Sequence, residues 1–390
     1  MISVKTAKEI IANNNIWRSV KEVALLEANQ MILAAEVVSL VNVPSFHNSA
    51  MDGYALAYDD STSYKVTSCI AAGDGKQYSV EPGEAARIFT GALVPFGADT
   101  VVQQELIHEK NSGIQFDKDI IRKGANIRLT GSQCSIGETV ATTGTFIDPP
   151  TIGLLASAGI SRVPIYAPPK VGVIITGDEL QEPGTSLQFG QIYNSNGPVI
   201  EAYLKTMGIH TITIVRVADQ PIDLHRAIEH LLEEHDLLLL TGGISVGSYD
   251  YVNECLGKSG VNTLFYKVMQ KPGKPLLVGS MSNKMVFALP GNPASVITCF
   301  GQYVKPAILQ MMGHITAWQP KARLQLTTAY KKKSGITHFL KGKTNENYVS
   351  ILSGQESFNL LPFTQADCLV EIDENTEYIP EMAMVDVYNL

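Results

Sequence analysis

The hydrophobic positions change period several times along the chain. Near its start Val4, Ala7, Ile10 and Ile11 recur at helical spacing behind Ser3, a residue suited to cap the first turn. Leu26 to Ala35 repeats that spacing, so residues 1 to about 35 are expected to be helical. From about 40 to 145 short β-like runs take over, such as Tyr64 to Thr67, Ala86 to Phe89 and Thr100 to Gln103, cut by Gly, Pro, Asp and Ser. This texture predicts a small β-rich domain. Pro149 and Pro150 then precede Ile152, Leu154 and Leu155, a helix with proline in its first turn, and Pro168 with Pro169 marks the next boundary.

Between Val171 and about Leu309 the pattern is that of an α/β domain. Near-continuous apolar runs (Val171 to Ile175, Thr211 to Val215, Leu237 to Leu240, Met285 to Leu289) alternate with helical patterns, as expected of strands buried on both faces. The segment from Pro221 carries Leu224, Ile228, Leu231 and Leu232 on one side, a stripe suited to covering a parallel sheet. After Trp318 and Pro320 the chain alternates again, at Leu324 to Thr328, Tyr348 to Leu352 and Met384 to Tyr388, which predicts a C-terminal β-module. No internal repeat or low-complexity tract interrupts this order.

Composition narrows the class. A chain of 390 residues with 45% apolar and 17% charged residues has room for two or three globular cores. Its net charge of -8 argues against nucleic acid or an anionic membrane as the main partner, so any bound anion must meet a local positive site. No apolar run approaches the ~20 residues of a membrane span, and the first residues lack a signal-peptide run. Five scattered Cys without CxxC, and dispersed His without HxxxH or HExxH, indicate neither a disulfide framework nor a thiolate or imidazole metal site. A cytoplasmic location is the expectation.

Candidate chemistry concentrates at predicted strand ends. In Asp236 to Asp250, DLLLLTGGISVGSYD, a buried strand runs into Gly242, Gly243 and Gly247 before a predicted helix, so backbone N–H groups can approach an anion there. A ligand-free tight turn fits the same residues. Thr176, Gly177, Asp178 and Glu179 leave a second strand, and acids beside a phosphate loop suit a hard cation, which makes Glu179, Asp219 and Asp250 magnesium candidates. Taken singly, each acid also fits a helix cap or a solvated carboxylate. Lys271-Pro-Gly-Lys274-Pro sets two cations on a stiff turn in an acidic chain, and Pro290-Gly-Asn-Pro293 links a buried strand to a helix at the same edge. In the β-rich region Asp52 lies in a turn of small residues and Thr90-Gly91 places a hydroxyl beside a flexible backbone. Asp99 and Arg128 read as structural.

In their joint order these segments resemble the MoeA-type molybdopterin molybdenumtransferases, related to the E domain of gephyrin. The motifs are SAMDGYA from Ser49, FTGALVPFGADTVV from Phe89, GANIR from Gly124, TGDEL from Thr176, TGGISVGSYDY from Thr241, and KPGKP with LPGNP from Lys271 and Leu289. The resemblance covers nearly the whole chain. It implies an α/β multidomain fold: a central MogA-like doubly wound α/β domain (1–19 with 169–317), a linking domain (20–39 with 141–168), a β-rich domain (40–140) and a C-terminal β-barrel domain (318–390).

The same resemblance implies the chemistry. Molybdenum from molybdate is inserted into adenylylated molybdopterin with Mg2+ assisting, the phosphoanhydride is cleaved, and AMP leaves. Asp52 and Thr90 would face the cleft of a partner subunit in a homodimer. Glu179, Asp219 and Asp250 would serve the pterin or the metal, with Glu179 and Asp250 as the metal ligands. Lys271 and Lys274 would take the oxyanion, Gly242, Gly243 and Ser245 the pterin and phosphates, while Pro290 and Pro293 shape the pocket. A MogA-like adenylyltransferase is the expected partner upstream. The chain departs from the family after GANIR: two acids commonly follow the glycine, whereas Gly131 is followed by Ser132 and Gln133. Phosphoanhydride hydrolysis without metal insertion and a non-catalytic dimeric scaffold are the alternative readings.

Overall fold

A computed structural model describes residues 1–14, 18–110, 113–243 and 251–390. The chain divides into two compact units, Met1–Lys21 with Tyr166–Leu390, and Glu22–Ile165.

The first unit contains a six-stranded sheet of β1 (Val171–Thr176), β2 (Ile212–Val217), β3 (Leu237–Thr241), β4 (Asn262–Tyr266), β5 (Leu277–Met281) and β6 (Lys284–Leu289), in the order β2-β1-β3-β6-β5-β4. β1 pairs in parallel with β2 and β3, and β3 with β6, while β5 runs antiparallel to β6 and β4. Successive side chains of a strand point to opposite faces, which is why the central strands are apolar without interruption. Val173, Leu237, Leu239 and Phe287 pack with the helices Val4–Asn13 and Asn196–Thr206 and the helical run from Pro293. Ile174, Leu238, Leu240 and Val286 pack with Pro221–Glu234 and Tyr251–Lys258 on the other face. Each fully buried leucine stabilises the unit by about 2 kcal/mol. The sheet is therefore doubly wound, with its parallel strands all ending at one edge.

The same unit ends in a closed five-stranded barrel. β7 (Ala322–Leu326), β8 (Thr337–Asn345), β9 (Tyr348–Ile351), β10 (Cys368–Ile372) and β11 (Met384–Asn389) run β8-β9-β7-β11-β10, and β10 pairs back onto β8. Leu326, Leu340, Val349, Val370 and Val387 fill its interior. β8 also pairs in parallel with the short strand Gln270–Lys271, which ties the barrel to the lysine turn.

The second unit has its own six-stranded sheet, whose strands include Gly53–Leu56, Tyr64–Ile70, Glu84–Ile88 and Thr100–Gln103. A separate core of Val23, Leu33, Ala141, Ile147, Leu155 and Ile165 draws on both flanks of that sheet's sequence. It packs around the helix Pro149–Ser157, whose N-terminus is capped by Asp148 Oδ1 accepting from the Thr151 amide at 2.9 Å.

Among the described residues, the sequence expectation of helix through residue 35 holds only for Val4–Asn13, where Ser3 Oγ accepts from the Thr6 amide at 3.1 Å. Leu25–Ala28 is a single 3-10 turn. Beyond it Gln30 adopts φ 65° and Ile32 and Leu33 bridge to Phe146 and Ile165, so β pairing to distant residues overrides the helical spacing. The antiparallel strands β4 and β5 were likewise absent from the expected pattern. Among the described residues no helix is long and apolar enough to cross a membrane.

Candidate active site

The exits of β1, β3 and β6 converge on one cleft of about 870 Å³ in the first unit. Glu179, Gly242, Lys271, Lys274, Pro290 and Pro293 all line it, so six of the residues singled out from the sequence share one cavity. Its position outside the carboxyl ends of parallel strands is where doubly wound sheets hold ligands.

Glycine is required where β3 ends. Gly242 has φ +91°, and a Cβ there would stand 2.1 Å from the Thr176 carbonyl oxygen at the end of β1. The two strand exits are thus pressed together by backbone. Asn196 binds a third: its Nδ2 donates at 2.9 Å to both Thr241 Oγ1 and the Gly291 carbonyl, while its buried Oδ1 has no hydrogen-bond partner. Behind this wall Thr176 Oγ1 donates to Asp219 Oδ1 at 3.3 Å, and the Asp219 amide donates to Asp178 Oδ1 at 3.1 Å. Asp219 therefore touches a cleft residue without lining the cleft itself. Gly243, at φ +67°, follows in the same turn. Ser245 and Asp250 lie outside the described residues.

The lysine turn is held by its backbone. Gln270, 2% exposed, donates from Nε2 to the carbonyls of Pro272 and Gly273 at 3.2 and 3.1 Å, and its Oε1 accepts from Tyr303 Oη. Tyr303 comes from a π-helical turn, Phe300–Val304, inside the helical run that starts at Pro293. Gly273 has φ +88°, and a Cβ there would lie 2.5 Å from Cys299 Sγ. Lys271 and Lys274 remain exposed, and among the described residues neither pairs with a carboxylate. Next to Lys271 in the β8 register stands His338, whose imidazole is pushed down to about 4 by burial and by the charges of Lys332 and Lys271. It is neutral at pH 7. The cleft therefore presents two unneutralised cations beside close-packed backbone turns, a combination that can bind a phosphate or another tetrahedral oxyanion.

Asp52 and Thr90 meet in the second unit. Asp52 Oδ1 accepts from the Thr90 amide and from Thr90 Oγ1, both at 2.8 Å. These bonds hold the Asp52 carboxyl below its usual range, the amide bond being the larger cause. Gln133, at the position of the family departure, donates weakly to Ser157 Oγ at 3.5 Å. Four further cleft residues, Asn196, Gln270, Ser357 and Phe358, had no signal in the sequence, because their partners lie far away along the chain.

Fold and cleft define an α/β protein with a lysine-bearing cleft at the edge of a doubly wound sheet and a β-barrel attached. Three family models match the chain: the MoeA N-terminal region (domain I and II) over residues 2–159, a probable molybdopterin binding domain over 172–310, and the MoeA C-terminal region (domain IV) over 323–390. The molybdopterin molybdenumtransferase of Haemophilus influenzae is 34% identical over 361 residues, covering 90% of this chain and 89% of that protein. Its counterpart from a Nostoc species is 36% identical over 309 residues, covering 76% and 71%. The crystal structure of a molybdopterin biosynthesis MoeA protein from Pyrococcus horikoshii OT3 superposes with a TM-score of 0.82 at 25% identity over 100% of both chains. This chain belongs to the MoeA family of molybdopterin molybdenumtransferases.

Proposed function

We propose that this protein inserts molybdate-derived molybdenum into adenylylated molybdopterin and releases AMP, as a Mg2+-assisted step of molybdenum cofactor biosynthesis. The observation that carries the reading is the shared cleft, in which Lys271 and Lys274, paired with no carboxylate among the described residues, stand beside the backbone turns at Gly242 and Pro290 to Pro293. Lys271 and Lys274 bind the oxyanion, and Gly242, Gly243 and Ser245 take the pterin and phosphates. Asp219 orients Thr176, Asp250 supplies a second acid, and Pro290 and Pro293 fix the width of the pocket.

Among the described residues no three His, Cys, Asp or Glu side chains gather as a complete metal cage. Magnesium commonly takes only one or two carboxylates, with phosphate and water oxygens completing its shell, and Glu179 in the cleft wall fits as one such donor. When bound, the ion neutralises charge on the phosphoanhydride.

The functional unit in this reading is a homodimer of four-domain chains (1–19 with 169–317, 20–39 with 141–168, 40–140, and 318–390), with Asp52 and Thr90 serving the cleft of a second copy. An adenylyltransferase of the MogA kind supplies the substrate. A cytoplasmic location belongs to the same reading, in keeping with five cysteines that are all free thiols.

The test is incubation of the purified protein with adenylylated molybdopterin, molybdate and Mg2+, measuring AMP and active cofactor by reconstitution of an apo-molybdoenzyme. Both products together are expected. AMP without active cofactor points instead to phosphoanhydride hydrolysis, and neither product points to a scaffold.

A further inference from the structure

We propose that Phe358 is the surface on which a planar, fused heteroaromatic ring of the ligand stacks in this cleft, presented there by a loop built around the buried Lys341. The proposal rests on the functional reading above and names a ring subsite for it.

Phe358 is 70% exposed, yet it lines the cleft. A phenyl ring on a loose loop would fold away from water, but this loop cannot follow it. Lys341 is only 2% exposed, and its ammonium donates to the carbonyls of Gly354, Glu356 and Asn359 at 2.8, 3.1 and 3.0 Å. An ammonium has three protons, so its donors are fully used, which offsets the cost of burying the charge. The Gln355 side chain adds a second clasp, accepting from the Lys341 amide at 3.0 Å and donating to the Lys341 carbonyl at 3.0 Å. Ser357, immediately before Phe358, is tied to the opposite element: its Oγ accepts from Asn292 Nδ2 and its carbonyl from the Ala294 amide, both at 3.2 Å.

The loop therefore fixes an aromatic face at a cleft that also carries two cations. Ile192 and Tyr193, 54% and 45% exposed, add apolar surface to the same lining. A ligand that joins phosphate charge to a flat ring matches both parts, whereas inorganic oxyanions use only the lysines. Adenine and pterin share this chemistry, and the experiment separates them.

Wild-type protein and the variants Phe358→Leu, Phe358→Tyr and Lys341→Met are titrated with AMP, with neopterin monophosphate followed by its fluorescence, and with inorganic phosphate. Phe358→Leu keeps the apolar volume but loses the ring, and is expected to weaken the stacked ligand about tenfold, the scale of base–aromatic stacking. Phe358→Tyr should retain most of the affinity, and inorganic phosphate should bind all Phe358 variants alike. Selective loss with AMP assigns the adenine, and selective loss with the pterin assigns the pterin. Folded Lys341→Met is expected to show the same selective loss, and wild-type ring affinity in it overturns the role given to the lysine. Equal ring affinity in wild type and Phe358→Leu, or a parallel loss of inorganic phosphate, overturns the assignment alone. Wild-type protein that binds neither ring overturns the assignment together with the reading on which it rests.

Discussion

Lys271 and Lys274 concentrate positive charge in a chain that is acidic as a whole, and both side chains are exposed on a turn whose backbone is fixed from below. Lys271→Ala and Lys274→Ala should each weaken molybdate or inorganic phosphate about tenfold, the scale of a charge-assisted hydrogen bond, with little change in Tm. Titration calorimetry on the two variants checks this, and unchanged affinity in both returns the segment to a structural turn. His338 makes a different prediction. Its folded pKa of about 4 lies below the ordinary 6.5, so the unfolded chain binds the extra proton first. The wild type should lose stability as pH falls from 6.5 towards 4, and His338→Phe should lose less over that window in denaturant titrations. The lysines were legible in the sequence because two cations framed by prolines and glycine are unusual chemistry in any chain. Asn196 and Gln270 were not, since an amide acquires its role only from the carbonyls that folding brings to it.

Strand ends were the most legible elements. The apolar run Leu237 to Leu240 followed by two glycines announces a doubly buried strand and its turn, and the structure places that turn at the cleft. The helical spacing of Leu26 to Ala35 misleads for a physical reason: it says nothing about the distant strands that compete for the same backbone. The π-helical turn at Phe300–Val304 was equally invisible, although it sets the Tyr303 hydroxyl on Gln270. Such turns often mark functional sites in helices, and here the turn links the long helical run to the lysine loop. Tyr303→Phe keeps the packed ring but leaves Gln270 Oε1 buried without its donor. It should cost about 1–3 kcal/mol of stability, the scale of an unsatisfied buried acceptor, seen as a lower denaturation midpoint. If the turn positions the lysines, oxyanion affinity of the folded variant should fall as well. A lower midpoint with unchanged affinity would leave the network a purely structural one.

On the scale of the whole molecule, the acids singled out from the sequence fall into two separate bodies. Asp52 and Thr90 form one hydrogen-bonded pair in the second unit, whereas Glu179 stands in the cleft of the first. In the proposed homodimer the two sets would meet across the subunit boundary, each working cleft taking its Asp52 from the other chain. Mixing tests this directly. Asp52→Asn and Glu179→Gln proteins should each be nearly inactive alone, since an amide keeps the shape of each carboxylate but not its charge. After subunit exchange, a heterodimer with shared sites contains one cleft with both defects and one with neither, so activity should return. With sites built inside single chains every cleft keeps one defect, and no mixture recovers. Heterodimers demonstrated by mass spectrometry but lacking any regained activity would therefore exclude the shared site, as would a fully active monomer.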